Sequence, residues 1–121
     1  MPDAEELLHS NLHEVFSERD PERRWAAIER TFAEDVKFID PEGEYVGRQA
    51  LSDQAQKLLD GPTAGFTLEE DGPRYLGPDT AALAWRVGPA DRPVARGMDI
   101  LTIRDGRVST LRTLIAPATD T

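Results

Sequence analysis

The sequence predicts an α+β fold in which helices come first and an antiparallel sheet second. Three observations carry this. Apolar residues recur at helical spacing as far as Leu59. From Phe66 onward they recur with the two-residue period of a strand. Between the last two strand-like runs stands Asp105-Gly106, a strong signal for a two-residue hairpin. Helices segregated to one face of an antiparallel sheet are the packing this order allows.

Each element has its own signal. Leu8, Leu12, Val15 and Phe16 share one face of a first helix. Asp20-Pro21 stops it and opens a second, with Asp20 as N-cap and Pro21 in the first helical position. Trp25, Ile28 and Phe32 form the second helix's apolar stripe. A short strand is expected from Val36 to Asp40, because Pro41 biases Asp40 towards extended backbone. Glu42-Gly43 turns the chain into a brief return strand, Glu44 to Val46. A third helix follows Gly47, with Leu51, Ala55, Leu58 and Leu59 on one face, and Gly61-Pro62 ends it. Four strands are then expected: Phe66 to Glu70, Thr80 to Val87, Val94 to Arg104 and Arg107 to Ile115. Asp71-Gly72-Pro73, Gly77-Pro78-Asp79 and Gly88-Pro89 read as the turns between them.

Composition narrows the function. With 121 residues, 39% hydrophobic and 31% charged, the chain suits one domain over residues 1–121, its ordered core about 4–116. The formal net charge is -9, and the arginines are scattered, which argues against nucleic acid as a partner. No apolar run is long enough to span a bilayer, and the acidic N-terminus is unlike a signal peptide. A cytoplasmic location is therefore expected, with no membrane partner. The chain has no cysteine, hence no disulfide framework or thiolate metal site. His9 and His13 have the i, i+4 spacing of two metal ligands, but no third ligand lies nearby in sequence; no metal and no cofactor are expected. Lys37 and Lys57 are the only lysines among 14 basic residues, a composition that suggests a bacterial, GC-rich source.

The chemistry points to two aspartates. Asp99 stands in mid-strand and shares a face with Ala95, Gly97, Leu101 and Ile103. A carboxylate on a buried face must find a partner, be protonated or line a cavity. Asp40 ends its strand with the same inward phase, although an Asp before Pro also shapes turns. Trp85 lies on the inward face of its strand with Ala81, Leu83 and Val87. The opposite face carries Ala84, Met98, Ile100 and Leu114, too apolar for a solvated sheet and left without a helix. A homodimer packed through that face is expected.

Phe32-Ala33-Glu34-Asp35-Val36-Lys37-Phe38-Ile39-Asp40-Pro41, Val46-Gly47-Arg48-Gln49-Ala50-Leu51, Arg96-Gly97-Met98-Asp99 and Asp105-Gly106-Arg107-Val108, in this order and spacing, carry a resemblance. The chain resembles the nuclear transport factor 2-like superfamily, the cone-shaped α+β fold shared by ketosteroid isomerase and SnoaL-like polyketide cyclases. The resemblance implies three helices on a curved, mostly antiparallel sheet enclosing a pocket. It implies that Asp40 sits where the isomerase keeps its proton-shuttling base, and Asp99 where that enzyme keeps a protonated acid that hydrogen-bonds the oxyanion. The expected pocket lining is Leu12, His13, Phe38, Leu83, Trp85, Leu101, Leu111 and Ile115. The isomerase's oxyanion tyrosine aligns with Leu12 and its supporting tyrosine with Ala55, which departs from the steroid route. Two functions stay open: an enzyme of the isomerase, cyclase or lyase kind acting on a small apolar or carbonyl-containing molecule, and a non-catalytic module that binds a ligand or a protein.

Overall fold

The computed structural model describes residues 3–61, 65–89 and 91–117. Helix α1, Ala4–His9, is capped by the Asp3 carboxylate, which accepts the Glu6 N–H at 2.8 Å. The helix continues without a break as a π-helical turn, Ser10–Val15, in which the Phe16 N–H reaches the Asn11 carbonyl at 3.1 Å. Such a turn holds one residue more than an α-helical one and so rotates the later side chains about the helix axis. Helix α2, Pro21–Thr31, opens as expected, with Pro21 in its first turn and the Asp20 side chain accepting from Glu22 N–H. Helix α3, Arg48–Leu59, follows Gly47, whose φ of 95° lies in the region that glycine tolerates best. Pro62, part of its expected stop, falls outside the described residues.

Six strands form one sheet in the order β2-β1-β6-β5-β4-β3. They are β1 Phe32–Asp40, β2 Gly43–Val46, β3 Leu68–Leu76, β4 Thr80–Val87, β5 Ala95–Arg104 and β6 Arg107–Ile115. All neighbours are antiparallel except β1 and β6. The last hairpin turns at Asp105 (φ 54°) and Gly106 (φ 76°), the paired positive φ of a type I′ turn.

Three local expectations are corrected. Phe32 is the first residue of β1 rather than part of α2's stripe, and β1 begins four residues before Val36; its pairing with β6 slips between Phe32 and Lys37, so the early part is not regular. Asp71-Gly72-Pro73 is no turn: it is a bulge inside β3, which runs on to Leu76. The bulge absorbs the proline, whose missing N–H would otherwise interrupt the ladder. Phe66 precedes β3, and Val94 precedes β5.

The inward phase holds through β4: Ala81, Leu83, Trp85 and Val87 are buried, and Ala82, Ala84 and Arg86 are only partly so. Leu8, Leu12, Ile28, Leu51, Leu101 and Leu111 close the core from the helices and the sheet. On the opposite face Arg86 and Arg96 both reach Asp71 of the bulge. No helix among the described residues is long and apolar enough to cross a membrane.

Candidate functional site

A cavity of about 420 Å³ opens between the helices and the inner face of the sheet. Ligand pockets fall at roughly 300–1,000 Å³. Phe16, Phe38, Leu68, Trp85, Val87 and Ile115 make its wall largely apolar, and Asp40, Glu42, Asp99 and Thr113 bring polar groups to it. Phe16 meets Phe38 edge-to-face at 5.5 Å, which fixes the end of the cavity nearest the π-helical turn.

Asp99 is 4% exposed. Three side chains donate to it: Trp85 Nε1 at 3.0 Å and Thr113 Oγ1 at 2.8 Å to Oδ1, and Asn11 Nδ2 at 2.8 Å to Oδ2. Strand register brings two of them. Thr113 lies directly opposite Asp99, and Trp85 lies opposite Gly97, one step along the same face. A Cβ at Gly97 would run into the Trp85 ring and the Leu114 carbonyl, so only glycine lets the indole lie across β5 and reach the carboxyl. Burial pushes the Asp99 carboxyl above the ordinary carboxylate range, against the opposing pull of Thr113, Asn11 and Trp85. A carboxylate offers about four acceptor positions, so these bonds leave one, on Oδ2.

Asp40 is half-buried at the end of β1. Its Oδ1 accepts the N–H groups of Glu42 at 2.9 Å and Gly43 at 3.1 Å, which ties the turn into β2. Its Oδ2 accepts from Gln54 Nε2 at 3.0 Å, and the same nitrogen donates to Glu42 Oε2 at 2.8 Å. Gln54, with Lys57 behind it, holds the Glu42 carboxyl below its ordinary value. Asp40 therefore shapes a turn and lines the cavity at once.

Of the residues expected at the site, Asp40, Asp99, Phe38, Trp85 and Ile115 stand together on the cavity wall. Leu12, Leu83, Leu101 and Leu111 do not: all four are fully buried in the core. The strand residues have the inward phase, but they lie where helices seal the sheet. His13 is also elsewhere. Its Nε2 meets Glu70 Oε2 at 2.8 Å, and Arg74 clamps the same carboxylate.

Asn11, Thr113 and Gln54 complete the site without having stood out in the sequence. A plain hairpin register from Asp105-Gly106 would set Arg112 opposite Asp99; a slip between Thr102 and Ile103 moves Thr113 there instead. Asn11 arrives from 88 residues away, and only the fold brings it.

The family model of the SnoaL-like domain matches residues 10–111. A solved structure from Agrobacterium tumefaciens, described provisionally as an isomerase of the SnoaL-like family, superposes with a TM-score of 0.82 at 20% identity, covering 92% of this chain and 95% of that one. A protein from Kribbella flavida, provisionally a ketosteroid isomerase, gives 0.72 at 20% identity over 95% of this chain and 78% of its own. One from Sinorhizobium meliloti, provisionally a polyketide cyclase, gives 0.68 at 20% over 88% and 92%. Likenesses at such identity speak for the fold alone. No curated protein matches this sequence.

Proposed function

The chain belongs to the SnoaL-like domain family, and from that premise we propose that it binds a small, largely apolar, carbonyl-containing molecule and acts on it as an isomerase, cyclase or lyase. One observation carries the reading: two carboxyl groups in unlike environments, Asp40 and Asp99, lie on the wall of one apolar cavity. Asp40 takes a proton from the carbon next to the carbonyl, using the acceptor position on Oδ2 that Gln54 leaves open. Asp99, protonated on Oδ2, donates to the carbonyl oxygen as negative charge develops on it. Return of the proton to another carbon completes an isomerisation. The substrate displaces water from the apolar wall as it enters, and the wall orients it.

The experiment is turnover of a panel of cyclic ketones and epoxides by the purified chain and by Asp40→Asn. Turnover that falls at least a hundredfold in the variant supports the reading. Turnover unchanged in Asp40→Asn overturns it.

A second reading has its own support. Asn11, Trp85 and Thr113 together take three of the acceptor positions on Asp99, which suits a structural carboxyl. In that case the cavity binds its ligand without turnover. A ligand retained in native mass spectrometry, with no turnover of any related carbonyl compound, favours it. Under either reading we also propose a homodimer through Ala84, Met98, Ile100 and Leu114; Leu114 is 48% exposed in the single chain. Light scattering that gives a monomer mass at micromolar concentration would refute the dimer.

A further inference from the structure

Away from the cavity, the first helix and β3 gather three side chains of metal-ligand type. His9 and His13 lie one helical turn apart, their ring centroids separated by 4.8 Å. β3 supplies the third ligand that the sequence lacks locally. Glu70 brings a carboxylate to His13, and one ligand atom from each of the three residues lies within 4.8 Å of the others.

We propose that His9, His13 and Glu70 form a binding site for a single divalent transition ion of the zinc kind. Two imidazoles and a carboxylate are a ligand set that zinc accepts at about 2.0–2.2 Å, with water in the fourth position. Ligand atoms on such an ion stand roughly 3.3–3.5 Å apart, by the tetrahedral geometry of those bonds. The widest pair must therefore close in by up to about 1.4 Å, which rotation of the exposed His9 side chain allows, while His13 and Glu70, 2.8 Å apart, separate by roughly 0.6 Å. The ion replaces the direct hydrogen bond between His13 and Glu70.

Arg74 decides whether Glu70 is fit for this role. Its Nε and Nη2 donate to Oε1 at 3.0 Å and Oε2 at 2.8 Å, one bond to each oxygen. With about four acceptor positions on a carboxylate, the clamp leaves one on each oxygen for the ion. It also fixes the carboxylate's orientation, as hydrogen-bonded partners of metal ligands do. The guanidinium charge opposes a dication. Asp3, Glu5 and Glu6, in the concavity shared by His9 and Arg74, offset it, while Arg30 there is paired with Glu14. The bound ion would pin the helix that carries Asn11 to β3. This rests on neither reading of the cavity.

The test is titration of the tag-free chain with cobalt(II) chloride, followed by visible absorption, and with zinc chloride, followed by thermal melting. One cobalt ion per chain is expected, with intense tetrahedral bands, and zinc should raise the melting temperature. His9→Gln, a change at an exposed position, should keep the far-ultraviolet circular dichroism and weaken binding by about tenfold or more, and Glu70→Gln should do likewise. No saturable binding by millimolar cobalt overturns the proposal. So does binding of equal strength in His9→Gln.

Discussion

Asp99→Leu separates a structural knot from a dispensable carboxyl. The change removes the acceptor that Asn11, Trp85 and Thr113 share. Trp85 and Thr113 touch the cavity, where water can take over their bonds. Asn11 cannot turn to water: it is fully buried, and its Oδ1 already lacks a hydrogen-bond partner among the described residues. Stranding the Asn11 amide costs about 1–3 kcal/mol, and losing two replaceable bonds about 1 kcal/mol each. Burying a leucine side chain returns roughly 1.5–2 kcal/mol. The leucine variant should therefore be about 2 kcal/mol less stable than the parent at neutral pH. Asp99→Asn behaves differently. It keeps an oxygen for Trp85 and Thr113, and its N–H₂ can meet the Asn11 oxygen once that amide turns over. Its loss should stay within about 1 kcal/mol, one hydrogen bond's worth. Urea denaturation followed by circular dichroism, run on all three proteins, reads both numbers. A leucine variant as stable as the asparagine variant would refute the reasoning, because the stranded Asn11 amide would then have cost nothing.

Three further outcomes rest on the same knot. Because burial raises the Asp99 carboxyl above its unfolded value of roughly 3.9, the folded chain keeps a proton that the unfolded chain has lost between those two values. That contribution is full below the unfolded value and is lost as pH rises through the folded one; Asp99→Asn should lack this slope, so its stability relative to the parent should climb across the window in denaturation at stepped pH. Trp85→Phe keeps a ring but deletes one donor that lowers the Asp99 carboxyl, so the midpoint should rise further in a carbon-13 NMR titration of the side chain; an unchanged or lower midpoint counts against it. Gly97→Ala forces the Trp85 ring off its place and should cost about 1–3 kcal/mol as an overpacked site, with a shift in tryptophan emission read in a Trp25→Phe background.

What was legible in the sequence was what short-range rules decide. Asp20-Pro21 caps a helix and Asp105-Gly106 turns a hairpin, because both act within a few residues. The two-residue period put Trp85 and Asp99 on the inner face for the same reason. Depth along that face was not legible. Leu83, Leu101 and Leu111 share the phase of Asp99 but meet helices instead of the cavity, and which strand stretch a helix covers depends on packing between distant segments. Bulges hid as well. Asp71-Gly72-Pro73 carries the residues of a turn and serves as a bulge, since its partner strand β4 pairs on both sides of it. Asn11 had no signal beyond being a polar residue beside an apolar stripe.

The pairing of β1 with β6 bears on how the chain acquires its shape. Phe38 pairs with Leu111 and Ile39 with Arg112, in parallel, so β1 sits between β2 and β6, the last strand in chain order. The β1–β2 hairpin and the β4–β5–β6 meander can each form from nearby residues. Joining them closes a loop of roughly 70 residues, and such closures are made before any contact rewards them. Until β6 arrives, β1, which carries the buried Phe32, Val36 and Phe38, has no second neighbour in the sheet. Refolding should thus be limited by the docking of one preformed piece on the other. The parallel seam, rather than any hairpin, would be the last part to gain protection from hydrogen exchange.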